Sequence, residues 1–106
     1  MVDHELNELR REFLTEAQEK VREMESTLST ESADSLDRLA YLAHQLKGSG
    51  GSYGYQRIST DAAEIEKAVE RMTKGSGAGV REKIRLHVES LRAEISRSTE
   101  ELSARA

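Results

Sequence analysis

Apolar residues recur with the period of an α-helix along the first half of the chain. An α-helix rotates by about 100° per residue, and on such a helix a first set of apolar residues, from Leu6 to Leu28, falls in one stripe about 100° wide. This pattern predicts an amphipathic helix over residues 4–28. A second set predicts a helix over residues 34–53, with Asp34 as its N-cap and residues 29–33 as the connector. The two stripes consist of Leu6, Leu9, Phe13, Ala17, Met24 and Leu28 in the first helix and of Leu36, Leu39, Leu42, Ala43 and Leu46 in the second.

The same period returns twice in the second half of the chain. It predicts helices over residues 56–74 and 79–103, with Gly75–Gly79 as the linker and Leu86 on the polar side of the last helix. The stripes are Ile58, Ala62, Ile65, Val69 and Met72, then Val80, Ile84, Val88, Leu91, Ile95 and Leu102. No segment alternates as a strand does, and the four stripes can be buried only against one another. The sequence therefore predicts an all-α, antiparallel up-down four-helix bundle, as a single domain over residues 1–106.

Composition and charge narrow the classes of function. The chain has 106 residues with no Cys and no Pro, which excludes disulfide scaffolds and thiol catalysis. Sixteen Lys and Arg against twenty Asp and Glu give a formal net charge of −4, so no basic field favours nucleic acid or anionic lipid. No apolar run approaches the roughly 20 residues of a membrane span, and residues 1–5 do not resemble a signal peptide. We expect a monomeric cytoplasmic protein. Its chemistry should lie on its surface, because a bundle of this size has no room for a deep substrate pocket.

Three histidines provide the side chains that titrate near neutral pH, and the helical pattern separates them. His4 lies at the chain terminus, and His87 lies at the border of the fourth stripe beside Ile84 and Leu91, as a packing residue would. His44 points roughly 140° away from the centre of the second stripe, into solvent. Metal-dependent hydrolysis inside the bundle is not favoured, because the chain has no Glu-x-x-His pair; we expect no metal site.

Glycines follow His44 along the same exposed stripe. Segment 48–54 carries four glycines, and each destabilises a helix by about 1 kcal/mol relative to Ala. Their presence in this segment therefore requires an explanation. Gly48 and Gly51 lie four and seven residues after His44, and their lack of side chains would let another protein approach the imidazole. Lys47 lies one turn on, where its ammonium could hold an anion placed on the ring.

Two interpretations follow from this spacing. An exposed nucleophile, a nearby cation and an open approach suit transient phosphorylation of an imidazole nitrogen by a docked partner. The alternative is a non-catalytic helical interaction module, in which the glycine-rich face of the second helix packs against a partner and His44 is a solvated surface residue.

The segment from Ala43 to Tyr55, AHQLKGSGGSYGY, strongly resembles the signature of histidine-containing phosphotransfer (HPt) domains. The family's pattern is a His, any residue, an apolar residue and then Lys-Gly-Ser, followed by small residues and a second Gly. Phe13–Ala17 is similar to the first helix of these domains, and Ile58–Glu66 to the helix after the active one. The resemblance spans most of the chain and is weakest after Gly75. Four glycines and two tyrosines after the Lys are more than the minimal motif requires.

The resemblance implies that His44 receives and donates a phosphoryl group, with Lys47 and Gly48 matching the family's Lys and first Gly. Glu66, 22 residues after the His, matches a polar side chain that often faces the imidazole and would fix its tautomer. Such domains bind no ATP, and the acyl phosphate and Mg²⁺ belong to the partner, a response-regulator receiver domain or a histidine kinase. We therefore expect a phosphocarrier in a two-component phosphorelay, without a cofactor of its own, rather than an enzyme.

Partner contacts are expected around His44 on the exposed stripe of the second helix and its continuation. Lys47 and Arg57 could meet the acidic pocket expected of a receiver domain, whereas Tyr53 falls on the apolar side. The predicted docking residues are Asp37, Tyr41, Gln45, Gly51, Tyr55 and Arg57. The sequence is compatible with a free-standing protein and with the phosphotransfer domain of a chemotaxis-type or hybrid kinase.

Overall fold

The computed structural model describes residues 2–30, 32–75 and 79–104, and their side chains from residue 4 onward. In these ranges the chain forms helices α1 (Val2–Leu28), α2 (Ala33–Ser52), α3 (Gln56–Thr73) and α4 (Val80–Ala104), and no strand. Every helix end lies within two residues of the position that the periodicity predicts. Each helix packs against its neighbours in the chain, and α4 closes onto α1. The prediction of an all-α four-helix bundle is confirmed.

One continuous core joins the four apolar stripes. Its buried side chains are Phe13, Leu14, Ala17, Val21 and Met24 of α1, Leu39, Leu42, Ala43 and Leu46 of α2, Ile58, Ala62, Ile65, Ala68 and Val69 of α3, and Val80, Ile84, Val88, Leu91, Ile95 and Leu102 of α4. The placement of Leu9 in the first stripe is wrong, since its side chain is exposed. The core of α1 is centred between Leu14 and Ala17, and Leu9 lies about 90° from that centre. Leu86 is exposed, as predicted.

The N-cap of α2 lies two residues before the predicted one. Ser32 is the N-cap, and its hydroxyl oxygen accepts a hydrogen bond from the backbone N–H of Ser35 at 3.1 Å. Asp34 instead lies in the first turn, where its negative charge is stabilised by the partial positive charge of the helix N-terminus. The prediction of Asp34 as the cap is therefore wrong, although the residue still favours the start of the helix.

The end of α2 is set by a glycine in a left-handed conformation. Gly54 has φ +85°, a value that side chains disfavour. The N–H of Tyr55 donates to the carbonyl of Gly50 at 2.7 Å, and the N–H of Gly54 donates to the carbonyl of Gly51 at 3.2 Å, which is the Schellman pattern. Phe13 of α1 stacks on Tyr53 and Tyr55, with centroid distances of 5.2 and 5.8 Å, and thereby holds the turn against the bundle.

Two predicted connectors fall partly outside the described residues. Residue 31 lies in the first of them, and residues 76–78 lie within the linker Gly75–Gly79, of which the structure describes the two ends. No helix in the described ranges combines the length and the apolar character that crossing a membrane requires.

Candidate functional site

His44 lies on the face of α2 that points away from the core. Its neighbours Leu42, Ala43 and Leu46 are buried on the opposite face, which fixes how α2 is rotated within the bundle. The imidazole is 67% exposed as a result. The outward direction that the helical pattern predicts for His44 is therefore confirmed.

A carboxylate from α3 bridges His44 and Lys47. Oε2 of Glu66 lies 2.9 Å from Nδ1 of His44, and Oε1 of the same carboxylate accepts a hydrogen bond from Nζ of Lys47 at 2.8 Å. Ile65 beside it is fully buried, so Glu66 stands at the edge of the α2–α3 contact with its side chain 30% exposed. The structure thus brings together three of the predicted site residues.

The cation beside Glu66 keeps this carboxylate ionised. The hydrogen bond from the Lys47 ammonium holds the pKa of Glu66 below its ordinary value, and the hydrogen bond from His44 acts in the same direction. Partial burial opposes both effects without cancelling them. Glu66 is therefore an anion at neutral pH, paired with a cation on one oxygen and with an imidazole on the other.

An ionised carboxylate accepts hydrogen bonds and cannot donate them. The 2.9 Å contact consequently requires Nδ1 of His44 to be the donor when the ring is neutral. The ring proton then resides on Nδ1, and the free lone pair lies on Nε2, on the side of the ring away from Glu66. This arrangement presents Nε2 as a nucleophile on an open surface.

The glycines around His44 fall into two kinds. Gly48 is exposed, and a Cβ built on it would meet nothing within 4 Å, which agrees with an open approach to the imidazole. Gly50 is buried, and a Cβ there would lie 3.1 Å from the backbone N of Ser59 and 3.2 Å from Cγ2 of Ile58. One glycine therefore leaves space at the surface, and the other lets α3 approach α2 closely.

A hydroxyl from α3 contacts the backbone of α2 at the site. Oγ of Ser59 donates to the carbonyl oxygen of Lys47 at 2.8 Å, in a partly buried position. The helical pattern did not identify Ser59 or Gly50 as site residues. The signal that points to Ser59 is its spacing from Glu66: seven residues place both on the same face of α3.

Two of the predicted docking residues form a polar pair next to His44. Tyr41 is 51% exposed, its hydroxyl accepts a hydrogen bond from Nε2 of Gln45 at 2.8 Å, and the guanidinium of Arg38 lies 5.3 Å from its ring centroid. Asp37 is exposed on the preceding turn. Tyr41 and Gln45 lie toward α1, in a groove with Thr15 and Glu19, whereas Glu66 lies on α3.

Other predicted docking residues are placed differently. The prediction that Tyr55 continues the exposed stripe of α2 is wrong, because the helix ends at Ser52 and the ring of Tyr55 packs on the core beside Phe13. Arg57 is exposed, but its guanidinium lies 3.8 Å from Glu94 of α4, on the face of α3 opposite Glu66. Gly51 is exposed, and a Cβ built on it would lie 3.7 Å from Oγ of Ser59.

In the described ranges, no group of three or more Asp, Glu or His side chains is arranged to hold a metal ion. At the site, the Glu66 carboxylate forms its hydrogen bonds with His44 and Lys47. The chemistry available to the site is nucleophilic attack by Nε2 with electrostatic support from neighbouring charges.

Comparison with known proteins identifies the family. The family model of the Hpt domain matches residues 8–102, which include all of α2 and α3 and most of α1 and α4. No curated protein and no solved structure gives a significant match to the chain. Hpt domains are phosphocarriers of phosphorelays and act with response regulators and kinases rather than as enzymes in their own right. The chain, with an exposed histidine on the second helix of a four-helix bundle, belongs to the Hpt domain family.

Proposed function

We propose that His44 is the phosphoacceptor of this domain. It takes a phosphoryl group from an aspartate of a receiver domain, or from a histidine kinase, and passes it to a receiver aspartate. The observation that carries this proposal is the bridge through Glu66, which holds the ring proton on Nδ1 and leaves Nε2 as a free nucleophile.

The transfer step conserves atoms and charge without help from a cofactor of this chain. The lone pair of Nε2 attacks the phosphorus of the aspartyl phosphate, an N–P bond forms, and the bond from phosphorus to the aspartate oxygen breaks. The aspartate leaves as a carboxylate with that electron pair, while the proton stays on Nδ1 of His44. The ring then carries a positive charge, which the Glu66 carboxylate at 2.9 Å stabilises. The reverse sequence passes the group to the next aspartate.

Lys47 supplies the positive charge that an anionic phosphoryl group requires. Its ammonium lies one helical turn from His44 and is held at 2.8 Å from Glu66. Before transfer, the charges of Lys47 and Glu66 cancel, so the neutral ring sits beside a balanced pair. Arrival of the phosphoryl group adds negative charge next to this pair, and the ammonium is the group placed to offset it. We propose that Mg²⁺ is supplied by the partner receiver domain, which holds the aspartate.

Access for the partner depends on the surface around Gly48. The open space above this residue lets the aspartyl phosphate approach Nε2 to within reaction distance, which a side chain at this position would hinder. Tyr41, Gln45 and Asp37 lie on the side of α2 that carries His44 and are proposed as docking contacts.

The direct test is phosphoryl transfer from a receiver domain labelled with radioactive phosphate, with His44→Gln beside the wild type. We expect acid-labile, alkali-stable label on the wild type, as a phosphoramidate gives, and none on the variant. Circular dichroism and the unfolding midpoint of the variant would check that the bundle is intact. If several receivers and a cognate kinase all leave the folded wild type unlabelled, the phosphocarrier proposal fails and the non-catalytic interaction module is favoured instead.

A further inference from the structure

Ser59 joins α3 to Lys47, one of the two residues of α2 that contact Glu66. Its hydroxyl donates to the backbone carbonyl of Lys47 at 2.8 Å, while the side chain of Lys47 donates to Glu66 at 2.8 Å. Lys47 is therefore held by α3 at both its backbone and its ammonium. Because Ser59 and Glu66 lie two turns apart on one face of α3, the two contacts fix the axial position of that face along α2.

The close approach of the two helices makes the Ser59 contact possible. Serine has a short side chain, so its hydroxyl reaches a backbone carbonyl of a neighbouring helix only where the helices lie very close. Gly50 provides that closeness, since a Cβ on it would lie 3.1 Å from the backbone N of Ser59. At Gly51 a Cβ would lie 3.7 Å from Oγ of Ser59, which is an ordinary contact distance, so the close approach of the helices is a property of Gly50.

The bridge through Glu66 depends on the axial position of α3 relative to α2. One carboxylate has to reach Nδ1 of His44 and Nζ of Lys47 at the same time, at 2.9 and 2.8 Å. A slide of α3 along α2 would move the carboxylate relative to both partners, and the hydrogen bonds would weaken because they depend steeply on distance and angle. Losing the contact to Nδ1 releases the ring proton to either nitrogen.

We infer that Ser59 is a positioning residue for phosphoryl transfer: through Lys47 it sets the axial position at which Glu66 holds the His44 ring with its proton on Nδ1. This inference rests on the proposed function of His44. Ser59 does not touch the reacting atoms, and its effect on the reaction passes through the backbone of Lys47 and the carboxylate of Glu66.

The test compares Ser59→Ala with Ser59→Thr, which keeps a hydroxyl, and with Ser90→Ala. Ser90 is the matched control because its hydroxyl also joins two helices, donating from α4 to Asp61 of α3 at 3.0 Å, on a different face of the bundle. Two quantities are measured for each protein: the position of the ring proton of His44, from nitrogen-15 NMR at a pH where the ring is neutral, and the rate of phosphoryl transfer from a labelled receiver domain.

We expect Ser59→Ala to shift the ring proton of His44 partly from Nδ1 to Nε2 and to slow transfer about three- to tenfold. Ser59→Thr should restore both quantities, and Ser90→Ala should leave both unchanged. The inference is overturned if Ser59→Ala keeps the wild-type proton position, or if Ser59→Thr is impaired as much as Ser59→Ala. If the wild type accepts no phosphoryl group, the proposed function fails, while the NMR result still decides whether Ser59 positions the ring.

Discussion

Two histidines of this bundle face carboxylates of the same helix, α3, from opposite sides. His44 of α2 has its Nδ1 2.9 Å from Oε2 of Glu66, and His87 of α4 has its Nδ1 3.9 Å from Oδ1 of Asp61. The His44 side chain is 67% exposed and that of His87 is 34% exposed. The first contact is a hydrogen bond, and the second is too long to be one.

The second oxygen of each carboxylate shows the larger difference. In Glu66 it accepts from the Lys47 ammonium, whereas in Asp61 it accepts from the neutral hydroxyl of Ser90. The space around the rings differs as well, since His44 stands one turn before the bare surface of Gly48. An imidazole beside a carboxylate is therefore not sufficient for the proposed chemistry. A cation on the same carboxylate and open space next to the ring distinguish the α2 site.

The largest expected effect comes from replacing His44 by glutamine, with the same replacement at His87 as the control. His44→Gln should abolish acid-labile labelling, because in the described part of the chain His44 is the imidazole whose carboxylate partner also pairs with a lysine ammonium. His87→Gln should be labelled at close to the wild-type rate, because His87 lies on the α3–α4 face. Labelling is measured from one phosphorylated receiver for all three proteins. Persistent label on His44→Gln would contradict the assignment of the site.

Removal of the Lys47 charge should have the next largest effect. Lys47→Met keeps most of the apolar stem and loses the ammonium, so the phosphoryl group is no longer offset and Glu66 loses its cation. We expect transfer to slow by about ten- to a hundredfold, measured with a labelled receiver. Lys74→Met is the matched control, since Lys74 also pairs with a glutamate at 2.9 Å, at the end of α3. Equal rates for the two variants would show that Lys47 acts only as a surface charge.

Alanine at Gly48 and at Gly50 should change stability in opposite directions. Gly48→Ala should stabilise the fold by about 0.5–1 kcal/mol through helix propensity, since its Cβ meets nothing within 4 Å. Gly50→Ala should destabilise it, because overpacking costs about 1–3 kcal/mol and its Cβ would lie 3.1 Å from the backbone N of Ser59. Unfolding in urea gives both free energies.

The same two variants separate stability from access to the site. Gly48→Ala should slow phosphoryl transfer in spite of its greater stability, because the added methyl group lies on the surface that the partner approaches. A Gly48→Ala protein that is more stable and transfers at the wild-type rate would show that the open surface is not needed. Equal stability of the two variants would contradict the distinction between the glycines.

The smallest expected effect is a dependence of stability on pH through Glu66. The folded state lowers the pKa of this carboxylate from its ordinary 4.5, mainly through the Lys47 hydrogen bond, so ionised Glu66 stabilises the fold above that pH. This contribution is lost as the pH falls through the lowered pKa. Wild type should therefore exceed Glu66→Gln in the free energy of unfolding at pH 7, by at most about 1 kcal/mol, and the difference should shrink in acid. Thermal unfolding of both proteins, from pH 7 down through the lowered pKa of Glu66, measures this difference in free energy. A difference that grows in acid would contradict the ionised bridge.

Much of the fold could be predicted because each helix carries its own periodic stripe. One deviation arose where the local pattern offered two N-cap residues. Both Ser32 and Asp34 can cap a helix, and the chain uses Ser32. The spacing of Tyr55 from His44 matches the exposed stripe of α2, but the left-handed Gly54 ends the helix before Tyr55 is reached.

The site was predictable in part for the same reason. His44, Lys47 and Gly48 lie on one turn of one helix, so their shared exposed face follows from the sequence. Glu66 was identified by resemblance, since spacing along the chain does not relate residues of two different helices. Gly50 and Gly48 are alike in sequence, and only the position of α3 assigns one to packing and the other to the open surface.

The sequence by itself determined which residues form each helix and which way each side chain points around its axis, because helical rotation per residue is nearly constant. The tertiary structure alone decided which helix packs against which face of its neighbour, the distance between the two helices and their relative axial position. Those three quantities place Glu66 between His44 and Lys47 and let Ser59 reach the backbone of Lys47. They depend on how the whole core packs, since the close contact at Gly50 forms only when all four stripes are buried together.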